Sequence, residues 1–537
     1  MPTRALTVLI LLYIAINAAF CAINYPTLKL DTWYISTKKQ RISFVADRLG
    51  ILSFANIALA IMFSGRNTPL LWITGRSRME ILTFHRWIAR VAAIQGIVHV
   101  VLYWINTSRF GYNMFTLSAG IHTVGFNQIY WTYGIIAVIG LGFMVFVFSM
   151  LPVRVAWYES FLVIHIILAV AILFGLWKHV VLRYHKAYGY EVWLYIAFSF
   201  WGFDRAVRPL RIVALNWRSW FDKKHPRSIV ELLPGDEFMK VTVFPSTTWH
   251  FNAGQYCFLY FPTSNFNPFQ SHPFSIASWN DAFEPGPTSA SPQGIRETSK
   301  DESLPGSETN IRPTIELQTL EQIRQPQNGE SLATSRPSVS FIIHPEHGLT
   351  RSLHKRLLKG NKKTIWKSLP VFVEGPYGSA PSNSLRKAET ILAIAGGIGI
   401  TSILGYLKLY LSSLSVHPEN ERSCRRSGRA SRFVLFWSAR EESLITAIKS
   451  ELADADELRR RGIELTVVCT GQGGNGERLN ITQVVSDELE SAQNAERSVC
   501  IVSCGPGGMA DDVRATVVRC NGENGADVEL IEDAFGW

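Results

Sequence analysis

Six long apolar segments lie within the first 210 residues of the sequence. Each approaches or exceeds the roughly 18–20 residues that a helix needs to cross a bilayer. A helix satisfies its backbone hydrogen bonds internally, so such segments are typical of an all-α membrane bundle. The first segment also fits a cleaved signal peptide, because it follows Arg4 and ends in small residues. The predicted segments are about 5–24, 47–64, 82–105, 129–151, 157–180 and 190–206.

Four histidines lie in the third and fifth segments as two pairs, His85 with His99 and His165 with His179. Both pairs are 14 residues apart, a spacing that returns a helix to nearly the same face about 21 Å further along. The two segments are separated by one helix and therefore run in the same direction. His85 is thus level with His165, and His99 with His179. A histidine satisfied by a neighbouring helix is the simpler reading of one such residue, but not of two matched pairs.

Neutral imidazole is a good axial ligand for haem iron, and polar side chains at membrane depth usually serve a function. The sequence has no Cys-x-x-Cys-His motif, so any haem here is non-covalent. We therefore predict two b-type haems, with all four histidines as iron ligands.

Beyond residue 210 the sequence becomes that of a globular protein, and 18% charged residues in the whole chain require a large aqueous portion. The net charge of +10 does not indicate nucleic acid, because much of it lies beside apolar segments or in loops. The seven cysteines are scattered, which favours free thiols in a reducing compartment and no structural zinc site.

Alternating apolar positions between turn residues predict an antiparallel β-barrel from about residue 228 to 262. His272-Pro273-Phe274-Ser275 follows, where a hydroxyl can bond a flavin and an aromatic ring can pack on it; the same residues also suit a plain strand. Residues 281–337 have too few aromatic residues to build a core and predict a disordered insertion. Gly348-Leu349-Thr350 then starts a short helix whose backbone N–H groups can hold a pyrophosphate.

Strands alternating with helices from about residue 385 predict a nucleotide-binding α/β domain. The strand at 390–395 leads into Gly396, Gly397, Gly399 and Thr401, a loop through which the main chain can approach a phosphate. Arg440 follows the next strand, where a guanidinium can pair with the 2′-phosphate of NADPH or simply be a solvated charge. The last predicted strand, at 499–503, runs into Cys504-Gly505-Pro506.

Taken together, these motifs resemble the ferric reductase and NADPH oxidase superfamily, and most closely the fungal ferric/cupric metalloreductases. The resemblance covers about residues 45 to 537 apart from the insertion, and it also includes Glu374-Gly375-Pro376-Tyr377-Gly378 and the terminal Phe535-Gly536-Trp537. It implies haems on the four histidines and FAD on the His272–Ser275 and Gly348 motifs. It implies NADPH on the Gly396–Thr401 loop, Arg440 and the Cys504–Pro506 segment, with Trp537 covering the flavin. Cys504 packs either near the nicotinamide or as a buried structural thiol. His344 stands ahead of the Gly348-Leu349-Thr350 turn, where relatives often carry Arg or Lys.

The predicted domains are a transmembrane haem domain at 1–210, an FAD-binding β-barrel at 226–380 and an NADPH-binding α/β domain at 385–537. The expected function is electron transfer from cytosolic NADPH to an extracytoplasmic ferric or cupric chelate, in the plasma membrane or the vacuolar membrane. An NADPH oxidase and a non-catalytic membrane scaffold are the alternatives. Membrane lipid is an expected partner, nucleic acid is not, and an iron-uptake permease and oxidase system is a further candidate.

Overall fold

The computed structural model divides the chain into two compact units, which meet between residues 210 and 211. Each unit is described by itself below. The residues that the structure describes are 3–27, 36–108, 129–150, 157–221, 228–245, 250–262, 270–280, 337–345, 348–359, 366–367, 369–378, 385, 387–415, 430–452, 454–471, 478–524 and 528–533.

The first unit is built from helices alone in its described part. Helix α5 is continued by a short π-helical stretch, Phe143–Phe148. Helix α7 begins in this unit and carries the chain into the second one. The helices are α1 (Arg4–Ala22), α2 (Thr37–Ser64), α3 (Pro69–Thr74), α4 (Arg78–Ser108), α5 (Ile129–Gly142), α6 (Tyr158–Tyr184) and α7 (Val192–Phe221).

Six helices of the described chain are long and apolar enough to cross a membrane. Five of them overlap the first five predicted segments, which confirms a membrane bundle. The sixth is Gly397–Leu414, which packs against the parallel sheet of the second unit. The sixth predicted segment lies on α7, which carries Asp204 and several arginines and so fails the apolar criterion. Large side chains of α7 such as Tyr195 and Trp201 are nevertheless exposed, as they are on a helix that faces lipid.

Buried amide side chains join α1 to α2 and α4. Asn56 donates through Nδ2 to Oδ1 of Asn17 at 2.7 Å and to Oε1 of Gln95 at 2.8 Å, and the hydroxyl of Tyr13 donates to Oδ1 of Asn56 at 2.7 Å. In an apolar medium, such polar side chains are stable only when they bond one another. The first helix is thus an integral part of the packed bundle.

The antiparallel strands that the sequence predicted as a barrel form two sheets at the start of the second unit. Their strand orders are β5-β6-β2-β1-β7 and β4-β3-β8. Alternating buried positions line a shared apolar core, as the period-two pattern predicted. The helix α8 (Gly348–Lys359) follows β6. The strands are β1 (Ser228–Leu232), β2 (Met239–Val243), β3 (Tyr256–Tyr260), β4 (Ser271–Ser275), β5 (Ser278–Asn280), β6 (Ser338–Ile343), β7 (Trp366–Lys367) and β8 (Phe372–Tyr377).

A parallel five-stranded sheet of order β11-β10-β9-β12-β13 completes the unit. Its strands are nearly continuous apolar runs, as expected of a sheet covered on both faces. The predicted insertion at 281–337 lies outside the described residues except for its last position, and the domain boundaries stay predictions. The elements are β9 (Thr390–Gly396), α9 (Ile400–Ser415), β10 (Arg432–Ala439), α10 (Glu442–Lys449), α11 (Ala455–Arg460), β11 (Ile463–Cys469), α12 (Ile481–Asn494), β12 (Val499–Cys504), α13 (Gly507–Asn524) and β13 (Val528–Glu532).

Candidate functional site

The four predicted histidine ligands face each other in two tiers between α4 and α6. The ring centroids of His85 and His165 are 6.3 Å apart, and those of His99 and His179 are 6.4 Å apart. A metal about 2.0–2.1 Å from each imidazole nitrogen would place the two ring centroids roughly 6 Å apart. Both tiers therefore have the separation that two axial imidazoles on one metal require.

Three of the four imidazoles are oriented by backbone carbonyl groups. The Nδ1 atoms of His85, His99 and His179 lie 2.8, 2.6 and 2.8 Å from the carbonyl oxygens of residues 60, 46 and 130. A carbonyl only accepts, so Nδ1 carries the proton and Nε2 keeps its lone pair for a metal. His165 has no such partner within the described part of the chain.

Two glycines make room for the second tier. A β-carbon at Gly50 would lie 2.9 Å from Nδ1 of His99, and one at Gly134 would lie 2.6 Å from Nδ1 of His179. A cavity of about 220 Å³ adjoins these rings and is lined by both glycines and both histidines. The residues present thus fit a large flat group held between two imidazoles.

The proposed flavin motif lies on strand β4, which pairs with β3 and places Ser275 opposite Tyr256. The backbone N–H of Ala277 donates to the carbonyl of Ser340 at 3.0 Å and so holds this segment beside β6. Gly348, which has φ +60°, begins α8, and Thr350 is buried in its first turn. Both predicted flavin-binding motifs therefore occur in adjoining elements of the same subdomain.

The two predicted NADPH loops are in direct contact with each other. A β-carbon at Gly396 would lie 2.6 Å from Cδ of Pro506, and one at Gly505 would lie 3.0 Å from the backbone of Gly396. Both loops leave the carboxyl ends of neighbouring parallel strands, β9 and β12, which is where ligands bind in open α/β sheets. Gly399 packs as closely on the carbonyl of Cys504, and the hydroxyl of Thr401 donates to the carbonyl of residue 398 at 2.9 Å.

Asp533 joins these loops from the end of β13. Its Oδ2 accepts from the hydroxyls of Ser402 at 2.9 Å and Tyr406 at 3.0 Å, and its carbonyl accepts from the thiol of Cys504 at 3.0 Å. Burial raises the pKa of the Asp533 carboxyl to about 6 against the opposing effect of these two hydroxyls. Burial, with the nearby Asp533 charge, also raises the pKa of Cys504 well above its usual range. Cys504 is therefore a neutral buried thiol in this structure.

The remaining predicted residues are Arg440, His344 and Trp537. Arg440 is exposed just beyond β10, on the other side of β9 from the Cys504 segment. His344 stacks on Phe238 with centroids 5.0 Å apart, and its Nε2 lies 3.8 Å from Glu441. Trp537 lies outside the described residues. No sequence motif marks Asp533, whose partners are distant in the chain, or the three carbonyl groups that orient the histidines.

Comparison with protein families gives three matches in chain order. Residues 49–176 match a ferric reductase like transmembrane component, residues 223–284 match an FAD-binding domain, and residues 388–479 match a ferric reductase NAD binding domain. The first match contains both histidine pairs except for His179. The third contains the Gly396–Thr401 loop and Arg440.

Named relatives are found in yeasts. The chain is 25% identical to the ferric/cupric reductase transmembrane component 2 of Saccharomyces cerevisiae, over 100% of this chain and 68% of the relative. It is 26% identical to the ferric/cupric reductase transmembrane component 1 of Candida albicans, over 75% of this chain and 42% of the relative. The chain thus spans about two thirds of one relative and less than half of the other.

Among solved structures, a ferredoxin NADP+ reductase from Neisseria gonorrhoeae with bound FAD and NADP is 12% identical. The match covers 58% of this chain and 100% of that chain, with a TM-score of 0.33. The fold of the second unit is assigned from its own strand order and from the matches to the FAD-binding domain and the NAD binding domain.

Proposed function

We propose that the chain is an oxidoreductase of the ferric reductase family and that it transfers electrons from NADPH through FAD and two b-type haems to a ferric or cupric chelate across the membrane. The observation that carries the proposal is the pair of facing imidazoles in each tier, 6.3 and 6.4 Å apart. Two such tiers on helices long enough to span a bilayer provide sites for redox centres at two depths.

The four histidines would hold the haems through Nε2, because Nδ1 of three of them is committed to a carbonyl group. When bound, haem supplies a one-electron carrier, and FAD divides the two electrons of a hydride into single electrons. The protein's own contribution in the membrane is to fix ring orientation and to exclude water around the buried tiers. Gly50 and Gly134 allow the helices to approach the imidazoles closely enough to do this.

In the soluble half, the His272–Ser275 strand and the Gly348–Thr350 helix start would bind FAD. The touching loops at Gly396–Thr401 and Cys504–Pro506 would bind NADPH, with Arg440 on its 2′-phosphate. Hydride transfer needs no protein acid or base, so the role of these residues is to bind and orient. Trp537 would cover the flavin, as the family resemblance implies.

We further place the NADPH-binding half in the cytosol, since the reductant is available there, and the chain in the plasma membrane. The acceptor would then be an extracytoplasmic chelate, and an iron-uptake permease and oxidase system would be the partner that uses the reduced metal. These assignments rest on the chemistry of the proposed reaction.

The proposal is tested with the purified full-length chain in liposomes. NADPH should produce a reduced-minus-oxidised difference spectrum of b-type haem and should reduce ferric chelate on the opposite side. Superoxide as the main product, with chelate reduction abolished by superoxide dismutase, would show an NADPH oxidase instead. A preparation that holds no haem after reconstitution would contradict both and leave a membrane scaffold.

A further inference from the structure

A compact cluster of tyrosines and cations lies where α6 ends and α7 begins, beside the His99–His179 tier. The connection contains two successive residues of positive φ, His185 at +47° and Lys186 at +65°. It is closed by backbone hydrogen bonds, including one of 2.8 Å from the N–H of Ala187 to the carbonyl of Tyr184. We call this cluster the tyrosine rim; its members are Arg183, Tyr184, Lys186, Tyr188 and Tyr190.

The three tyrosines of the rim contact one another in a closed triangle. The ring centroids of Tyr184 and Tyr190 are 5.0 Å apart, those of Tyr184 and Tyr188 are 5.5 Å apart, and those of Tyr188 and Tyr190 are 5.9 Å apart. Tyr188 is 68% exposed despite this packing. The rim thus presents a rigid aromatic surface with hydroxyl groups, built on the end of a helix that carries a proposed haem ligand.

The rim is continuous with the cavity of the second tier. That cavity is lined by Arg183, Tyr184 and Tyr190 as well as by His99 and His179. The guanidinium of Arg183 lies 5.3 Å from the ring centroid of Tyr130. The ring of Tyr130 lies 5.7 Å from that of His179. The side chains of Arg183 and Tyr130 would therefore connect a molecule on the rim to His179, a proposed iron ligand.

The rim carries two cations, Arg183 and Lys186. Within the described ranges, no carboxylate forms an ion pair with Arg183 or Lys186. Lys39 lines the same cavity and adds a further cation. Two carboxylates oppose these three cations: Asp47, which also lines the cavity and accepts a hydrogen bond from the hydroxyl of Tyr103, and Glu191, which is buried directly after the rim. A cleft with an excess of one sign of charge concentrates ligands of the opposite sign.

The rim lies at the amino-terminal end of α7, the last helix of the first unit. Helix α7 begins at Val192, directly after the rim, and continues for 30 residues before the second unit's first strand. Thirty helical residues rise about 45 Å, more than the thickness of the hydrocarbon core. An acceptor that meets the rim is therefore on the side to which the proposed reaction delivers electrons.

We propose that the tyrosine rim is the docking site for an anionic, oxygen-rich chelate of the acceptor metal. This inference rests on the proposed function and deepens it by naming the acceptor's charge class. The cations would attract the chelate, and the tyrosine hydroxyls would donate to its carboxylate oxygens. One electron passes to the ferric ion, which becomes ferrous; no bond to the protein forms or breaks.

The test uses two small outer-sphere acceptors of opposite charge, hexacyanoferrate(III), a trianion, and hexaammineruthenium(III), a trication. In the full chain in liposomes with NADPH, the double variant Arg183→Gln with Lys186→Gln should raise the KM for the anion about three- to tenfold. The KM for the cation should stay the same or fall, and added salt should weaken anion reduction in the wild type only. Arg183→Lys with native Lys186 should keep most of the wild-type KM.

The matched control is Arg76→Gln, which removes a cation paired with Glu80 just before α4 begins, at the other end of the bundle. It should change the KM for neither acceptor. Equal changes for both acceptors in the double variant, or no change for either, would overturn the inference. A wild-type chain that reduces neither acceptor would instead contradict the proposed function. Its haem spectrum would then show whether the histidine tiers or the proposed FAD and NADPH sites have failed.

Discussion

The Nδ1 atom of His99 on α4 lies 2.6 Å from the carbonyl oxygen of Ala46 on α2. Two more hydrogen bonds between a side chain and a backbone carbonyl join the same two antiparallel helices. Successive bonds are seven residues apart on each helix. Ser53 donates to the carbonyl of Ala92 at 2.8 Å, and Nδ1 of His85 lies 2.8 Å from the carbonyl of residue 60. Helix α2 therefore holds both histidines of α4 in register, although it contributes no ligand itself.

The glycine opposite His179 gives the first prediction. Gly134→Ala would place a β-carbon 2.6 Å from Nδ1 of His179, so the imidazole must turn away from its carbonyl partner and from the metal. Overpacking of this kind costs about 1–3 kcal/mol. We expect the variant to lose about half of the bound haem, measured by Soret absorbance per chain.

A matched control for that variant lies on α4 in the same cavity. A β-carbon at Gly96 would have its nearest neighbours at 3.4 and 3.5 Å, which is ordinary contact. Gly96→Ala should therefore keep the wild-type haem content. Equal haem loss in both variants would show that the bundle tolerates no added volume, and would contradict a specific role for Gly134.

Arg440 tests the proposed nucleotide preference. If its guanidinium pairs with the 2′-phosphate, Arg440→Gln removes a charge-assisted hydrogen bond of about 1.5–3 kcal/mol. The KM for NADPH should then rise roughly tenfold or more, while the KM for NADH, which lacks that phosphate, stays constant. Steady-state kinetics with both nucleotides measure this, and an equal rise for both would contradict the assignment.

The contact between Gly399 and Cys504 predicts a second nucleotide-binding defect. A β-carbon at Gly399 would overlap the carbonyl group of Cys504, whereas one at Gly508 would meet nothing within 4 Å. Gly399→Ala should separate the two loops and weaken NADPH binding at least tenfold, while Gly508→Ala should bind as the wild type does. Quenching of flavin fluorescence by a non-reducible NADP analogue would measure both affinities.

Asp533 predicts how stability depends on pH. Its pKa is raised by burial from 3.8 to about 6, so between these values the folded chain binds the proton more tightly than the unfolded chain. Stability contributed by the protonated form is present below pH 4 and is lost as the pH rises through 6. Asp533→Asn cannot ionise, so at pH 7.5 it should be more stable by up to about 2–3 kcal/mol.

Thermal unfolding of the full chain between pH 4 and 8 checks this expectation. The difference in Tm between Asp533→Asn and wild type should grow from near zero at pH 4 to a plateau above pH 6. Exposed Glu490 offers the control, because Glu490→Gln should give a difference that does not change over this range. A variant that is destabilised most at high pH would show that the carboxylate is needed in its charged form.

Much of the fold was accessible from the sequence because its signals are local. Apolar runs located five membrane helices, and short apolar strands between turn residues located β9 and β12 within one residue of their observed ends. The level pairing of the histidines also followed from helix periodicity and direction alone. Each of these inferences uses only neighbours along the chain.

The remaining features depend on contacts between residues far apart in sequence. In each hydrogen bond between α2 and α4 the acceptor is a backbone carbonyl, which every residue type carries, so no side chain marks the accepting position. Gly50 and Gly134 look like ordinary helix glycines until a histidine from another helix is placed beside them. The Asp533 cluster joins β13 to α9 over more than 120 residues, and a lone aspartate near a chain terminus predicts no partner.

The most direct test of the central claim is the haem content of purified full-length chains with single histidine replacements. The wild type should hold two b-type haems per chain. Each of the variants His85→Ala, His99→Ala, His165→Ala and His179→Ala should hold one and should fail to pass electrons from NADPH across the membrane, whereas His250→Gln, at an exposed position of the second unit, should match the wild type. Any of the four variants that keeps two haems and full transmembrane electron transfer would contradict the account.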